Sequence, residues 1–342
     1  MACAARPVTI AASLAGAGPA GAAVVGLRVL PPWFPAAATG AAGGGLVFLL
    51  AHRGLIDDAY ITLDYARTLA RYGQWALEPG HPTNTATSPL NVVLLAVLIG
   101  LCGAPVLSVG VLLTLTLAAT GAALSVICAQ LGCDRRLAVA AVALLAVNPL
   151  LISTTGLETY LAVALIATLG AAVLACRPVT AGLVCGLLGL TRADLAAFGL
   201  AGLIGLATRC RAGTRLQRAG QVLGVAAAVG LPWFAASWWW LGSAIPDTLL
   251  FKVSEVWEGN SFASGLWHYA RGYPVATVLA VLPAAAGIVA VIGCVAAWLA
   301  RKAARSGCSR WCGHRGRRCT SRCTWCYARR RITGTTGRRS RR

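Results

Sequence analysis

The chain has 342 residues, of which 58% are hydrophobic and only 12% charged, with a mean hydropathy of +0.72. Soluble domains carry about 25% charged residues, so the composition excludes an ordinary soluble domain and indicates a polytopic membrane protein. The formal charge of +20 is uneven, because fifteen of the thirty Lys and Arg lie in residues 301–342, which hold no Asp or Glu. The remainder carries about +5, ordinary for a membrane protein obeying the positive-inside bias. Nucleic-acid binding is therefore a question for the tail alone, and none is expected of the rest of the chain.

Residues 1–35 form an N-terminal segment with Arg6 and a Gly- and Ala-rich apolar run interrupted by Pro19. It reads as a signal-like segment or an extra span. Residues 36–300 read as one membrane-embedded region. Apolar runs lie at about 36–51, 88–103, 106–130, 137–153, 159–176, 179–190, 195–207, 220–241 and 275–299. A full crossing needs about 20 residues, and several runs fall short of it. Eight of the thirteen cysteines lie singly outside the tail, among them Cys102, Cys128, Cys176 and Cys185, and act as small hydrophobes.

Two adjacent carboxylates, Asp57-Asp58, follow the first of these runs. Charge beside the end of a span is costly to hold without a task. After them Ile61, Tyr65 and Leu69 recur four residues apart, with Asp64, Arg67 and Arg71 facing elsewhere. This predicts an amphipathic helix lying on the bilayer, ended by Gly73 and followed by a turn at Pro79-Gly80.

Sidedness follows from the basic clusters Arg135-Arg136, Arg177, the group Arg209, Arg211, Arg215 and Arg218, and the tail from Arg301, which should face the cytoplasm. If the sixteen-residue run 88–103, opened by Ser88-Pro89, is re-entrant or interfacial, every one of these clusters falls inside. The Asp pair, Thr154 to Thr159, Thr191 to Asp194 and Ile245 to Gly259 then share the outer face. The expected fold is all-α, a polytopic bundle of about eight spans with extracytoplasmic juxtamembrane helices.

The segment DDAYITLDYAR followed by PGHPTNTATSPL resembles the first extracytoplasmic loop of GT-C class integral-membrane glycosyltransferases, and most nearly the actinobacterial terminal arabinofuranosyltransferases. Three later pieces resemble that family in the same order: TGLET at Thr155 to Thr159, LTRAD at Leu190 to Asp194, and Leu231-Pro232-Trp233 through Ile245-Pro246-Asp247-Thr248 to Phe251-Lys252. The likeness covers about Ala36 to Tyr273. The chain departs from the pattern where His81 and Thr85 replace acidic residues, Ala86 replaces Tyr, Ala193 replaces Pro, and Asp247 replaces Asn.

The resemblance implies transfer of a sugar, most nearly arabinofuranose, from a polyprenyl-phosphate donor to a cell-envelope glycan at the outer face of the plasma membrane. Such chemistry needs a base for the acceptor hydroxyl and stabilisation of the departing phosphate. Asp57 or Asp58 is the expected base, its neighbour orienting the acceptor or a divalent cation. Lys252 is the first expectation for the phosphate contact and Arg192 the second. Tyr60, Arg67, Thr87, Ser88, Glu158, Asp194 and Asp247 complete the expected substrate-binding set. Simpler readings compete at each position: a helix N-cap for the Asp pair, a snorkelling Lys252, an Arg192–Asp194 ion pair, a helix-dipole role for Glu158. Solvated His81 and His268 are weaker proton carriers, and Trp238 to Trp240 read as interfacial anchors.

The tail carries Cys308, Cys312, Cys319, Cys323 and Cys326 with His314 among them. Its composition is that of a GC-rich gene read out of frame, and a truncated or frameshifted end is expected from residue 301, with a disordered chain. A basic anchor on anionic lipid and a zinc or nucleic-acid module are the other readings. Competing functions for the whole chain are a transporter, for which ionisable residues at mid-span and repeated halves would speak, and an inactive truncated relative.

Overall fold

A computed structural model describes residues 30–209, 212–248 and 262–314. Among these, twelve helices are joined by short turns: α1 (Phe34–Ala51), α2 (Asp57–Tyr72), α3 (Pro89–Cys102), α4 (Pro105–Leu131), α5 (Arg136–Ala146), α6 (Pro149–Ile152), α7 (Thr159–Leu174), α8 (Pro178–Thr191), α9 (Ala196–Arg209), α10 (Arg215–Leu241), α11 (Phe262–Gly272) and α12 (Pro274–His314). One hairpin departs from the all-helical expectation. Strands β1 (Ala76–Glu78) and β2 (His81–Pro82) pair antiparallel across the Pro79-Gly80 turn, with Gly80 in the left-handed region.

The described residues up to 280 form one compact unit and those from 281 a second. Among the described residues four helices are long and apolar enough to cross a membrane: α1, α4, α10 and the Pro274–Gly293 part of α12. The protein is thus a multi-pass membrane protein, but the expected eight spans are only in part of full length. Helices α5, α7, α8 and α9 are 11 to 16 residues long, about 17–24 Å, short of a hydrocarbon core of about 30 Å. Proline and polar residues cut them. Asn148-Pro149 splits the run 137–153, with the Asn148 side chain accepting from the amides of Leu150 and Leu151 to cap α6. Arg177-Pro178 separates α7 from α8.

Glycine sets the helix spacing. A Cβ on Gly40 would lie 2.1 Å from the Leu117 carbonyl oxygen, and one on Gly121 2.1 Å from that of Ala36. Backbones meet because no side chain intervenes, the way small-xxx-small helices pack in lipid, where the hydrophobic effect gives no drive for helix association. Gly44 against Thr114 and Gly110 against the Phe48 ring continue the seam, so α1 and α4 run antiparallel. Gly182 and Gly186 of α8 meet Val222, Val225, Ala226 and Val229 of α10 in a second, parallel seam.

These seams sort the loops onto two ends. The C-terminal end of α1 is level with the first turns of α4, and Gly156, before α7, sits against Ala59 of α2 and Val109 of α4. Helix α3 begins there, with Asn91 Nδ2 donating to Gly156 O at 3.4 Å, and ends there, because Gly103-Ala104 leads straight into α4. It therefore does not cross the bundle, the behaviour expected of 88–103. α7 leaves this end and α9 runs parallel to it, Gly202 against Leu169 and Gly205 against Val173. Helices α8 and α10 return. Asp58, Glu158, Arg192 and Thr248 consequently share one end, and Arg135, Arg136, Arg177, Arg209, Arg215 and Arg218 the other.

Helix α2 forms as expected, closed by Gly73 in the left-handed conformation, but its apolar face differs. Ala59, Leu63, Tyr65, Ala66 and Thr68 are buried against α3 and neighbouring residues, whereas Ile61 is 42% exposed. A protein partner, α3, has replaced the expected bilayer beneath this face and rotated it by tertiary packing. In the second unit, α12 runs on through residue 314, so the first fourteen residues of the basic tail are helical where disorder was expected. Ala, Arg and Lys in ARKAAR are good helix formers. Cys319, Cys323 and Cys326 lie outside the described residues, as does the N-terminal segment to residue 29.

Candidate functional site

Six chain segments converge at the end opposite the Arg clusters. They enclose a cavity of about 210 Å³ lined by Asp58, Ile61 and Thr62 of α2, Leu77 of β1, Thr85 to Thr87, Leu157 and Glu158, Arg192, and Thr248. Each segment is placed by a local device. Asp57 and Asp58 form the first turn of α2, where the free backbone N–H groups and helix dipole favour carboxylates. Gly156 adopts φ 97° and lies so close to α2 that a Cβ would come within 2.7 Å of the Ala59 methyl. That contact brings Glu158, the residue preceding α7, up against the start of α2.

Arg192 is set by an abrupt helix end. Thr191 is fully buried, Arg192 is extended, and a 3-10 turn (Ala193–Leu195) follows. The guanidinium faces two carboxylates. Nε and Nη2 donate to Asp194 Oδ1 and Oδ2 at 3.0 and 3.2 Å, a parallel pair, while Nη1 donates to Glu158 Oε1 at 3.1 Å. Glu158 is buried, its side chain 7% exposed, whereas Asp194 is 65% exposed. The hydrogen bonds from Arg192 hold the Asp194 carboxyl below the usual carboxylate range, and Asp194 and Glu158 together raise the guanidinium despite its partial burial.

The fourth wall is a stapled pair of loops. The Asn84 side chain donates to Ser243 O and Ile245 O at 2.9 and 3.2 Å, Asp247 N donates to Asn84 O at 2.8 Å, and the Thr248 hydroxyl donates to Thr85 O at 2.9 Å. Beneath them the Tyr65 hydroxyl bonds the Thr83 and Thr85 hydroxyls and accepts from Thr85 N. The Tyr65 ring packs on Trp75, and Trp75 on Trp233 of α10, with centroids 5.5 and 4.3 Å apart.

The expected residues divide accordingly. Asp58, Thr87, Glu158 and Arg192 line one cavity. Asp194 touches it through Arg192, and Asp247 contributes a backbone bond to the staple. Asp57 and Tyr60 are exposed and outside the lining, and Arg67 pairs with Asp64 at 3.6 Å on the outer surface of α2. Ser88 is buried with its hydroxyl unbonded. Lys252 lies outside the described residues. Thr62, Thr85 and Thr248 line the cavity although sequence reasoning did not select them. The signal available was their position inside the segments DDAYIT, NTAT and IPDT. Trp238 to Trp240 are largely exposed at the end of α10, and His81 and His268 are exposed. Among the described residues no three His, Cys, Asp or Glu side chains converge to hold a metal ion.

No protein-family model, curated protein or solved structure matches this chain significantly.

Proposed function

We propose that this protein is a GT-C-like membrane glycosyltransferase that moves a sugar, most nearly arabinofuranose, from a polyprenyl-phosphate donor to a cell-envelope glycan. One observation carries the reading. The four pieces chosen for their resemblance to that enzyme class, carrying Asp58 and Thr87, Glu158, Arg192 and Thr248, line a single cavity at the end away from the basic clusters. The positive-inside bias makes that end extracytoplasmic, where a lipid-linked donor in the outer leaflet reaches it. Within the first unit, α3 lying at the outer end fits this orientation.

In this reading Asp58 takes the proton of the acceptor hydroxyl. The acceptor oxygen bonds to the anomeric carbon as the bond from that carbon to the phosphate oxygen breaks, and polyprenyl phosphate leaves with the electron pair. By resemblance Lys252 is the phosphate contact. The hydroxyls of Thr85, Thr87 and Thr248 offer hydrogen-bond partners to a sugar ring. Asp57 is then dispensable to the chemistry.

The test is transfer from radiolabelled polyprenyl-phosphoarabinose by membranes containing the chain. Asp58→Asn should lower transfer about 100-fold or more, the scale of general-base catalysis, while Asp57→Asn keeps it within about threefold. Equal loss in both variants, or activity retained by Asp58→Asn, would overturn the assignment.

A further inference from the structure

Arg192 is the second expectation for the donor-phosphate contact, after Lys252, with an ion pair to Asp194 as the competing reading. Its geometry argues against the phosphate contact. The face of a guanidinium that takes an oxyanion in a parallel pair is the edge carrying two N–H groups, and on the Nε–Nη2 edge that position is filled by Asp194. Asp194 is only two residues away on a tight 3-10 turn, so it refills the position after any displacement. Nη1 meanwhile holds the buried Glu158. The charged groups lining the cavity or bonded to its lining, among the described residues, are Asp58, Glu158, Asp194 and Arg192. Three carboxylates thus share one guanidinium, which leaves Arg192 little charge to offer a phosphate.

Glu158 needs such a partner. A buried carboxylate without one is driven to neutrality or out to water. Only its Oε1 is bonded to Arg192, and the residue lines the same cavity as Asp58. Asp57, next to Asp58 in sequence, does not line it, because consecutive helical residues point about 100° apart.

We propose that Arg192 is a positioning residue that clamps Glu158, so that Glu158 and Asp58, from chain segments 100 residues apart, are the working carboxylate pair, and that Arg192 is not a ligand of the donor phosphate. This rests on the glycosyltransferase reading of the cavity. Asp58 takes the proton, and the free oxygen of Glu158 accepts a hydrogen bond from a sugar hydroxyl and fixes the ring.

The test uses the full chain in lipid nanodiscs, with Arg192→Gln and Arg192→Lys compared after their melting and helical circular dichroism are checked. Arg192→Gln should lower kcat about 100-fold, as an ångström-scale misplacement does, and leave the donor KM and the Kd for polyprenyl monophosphate within about twofold. Arg192→Lys, which restores the charge but not the fork, should recover about tenfold of the lost kcat. Carbodiimide labelling read by mass spectrometry should modify Glu158 several-fold faster in Arg192→Gln than in the wild type. A donor KM or polyprenyl-monophosphate Kd raised more than about tenfold with kcat kept, or Glu158 labelling that does not change, would overturn the clamp. Absence of both transfer and polyprenyl-monophosphate binding in the wild type would instead defeat the glycosyltransferase reading, and the labelling would still decide whether Arg192 clamps Glu158.

Discussion

The glycine seams and the cavity wall are held together by opposite means. Along α1–α4 and α8–α10 the backbones touch, and what matters is the absence of side chains at Gly40, Gly44, Gly121, Gly182 and Gly186. Around the cavity, loops about 160 residues apart are joined by hydrogen bonds donated by Asn84, Asp247 and Thr248. A seam tolerates no added atom, whereas a staple tolerates crowding but no lost partner. The difference teaches where rigidity and adjustability lie: the helices fix two ends of the bundle, and the polar loops shape one of them.

The sharpest break comes from Gly40→Leu. Its Cβ would start 2.1 Å from a backbone oxygen, so α1 and α4 must separate, at a cost of about 3 kcal/mol or more. The expected result is loss of folded protein in a detergent-melting assay. Gly45→Ala, five residues on and with open space around its Cβ, should leave melting unchanged or slightly higher. Equal behaviour of the two variants would refute the seam.

Gly156→Ala tests the junction between seam and site. The left-handed φ alone costs about 1–2 kcal/mol, and the new methyl meets Ala59. Transfer should fall more than thermal stability does, since Glu158 moves with residue 156. Adding Ala59→Gly should relieve the contact and restore part of the activity, a coupling visible in a double-mutant cycle.

Asn84→Ala removes both bonds from its side chain to the 243–245 carbonyls. Ser243 O and Ile245 O keep the hydroxyls of Ser237 and Ser243 as donors, so the loss is that of the two bonds themselves, about 0.5–1.5 kcal/mol each. Hydrogen exchange should rise in residues 83–87 and 243–248 and stay unchanged along α1 and α4. Spread of the effect into α1 would mean that staple and seam are one unit.

The smallest effect concerns Asp194. Its pKa is lowered in the folded protein, so its contribution is present above the ordinary carboxylate range and is lost as pH falls through the lowered value. With Asp194 mostly exposed, the pair is worth less than about 1 kcal/mol. Asp194→Asn should lower the melting temperature slightly at pH 7, and the difference should shrink as pH falls below the ordinary carboxylate range, in parallel scans of both proteins.

Much of the architecture was legible in the chain. Nearly every apolar run became a helix, Gly73 and Gly80 ended and turned the chain where expected, and the short run 88–103 stayed at one end. The seams were not read from the chain: Gly40-x-x-x-Gly44 and Gly182-x-x-x-Gly186 have small-residue spacing, but nothing in composition says which helix each will meet. The cavity was half legible: Asp58, Thr87, Glu158 and Arg192 lay in recognisable segments, while Thr62, Thr85 and Thr248 did not stand out among other threonines.

Sequence by itself determined the membrane class, the helix positions and the segregation of Arg from Asp and Glu, because hydropathy, capping and charge act over one or two turns. Tertiary structure alone decided which of Asp57 and Asp58 faces the cavity, that Arg192 is spent on two carboxylates, and that Ile61 lines the cavity while Leu63 packs inward. Those outcomes depend on the rotation of each helix against a partner distant in sequence, and that rotation is set by where glycine lets two backbones touch.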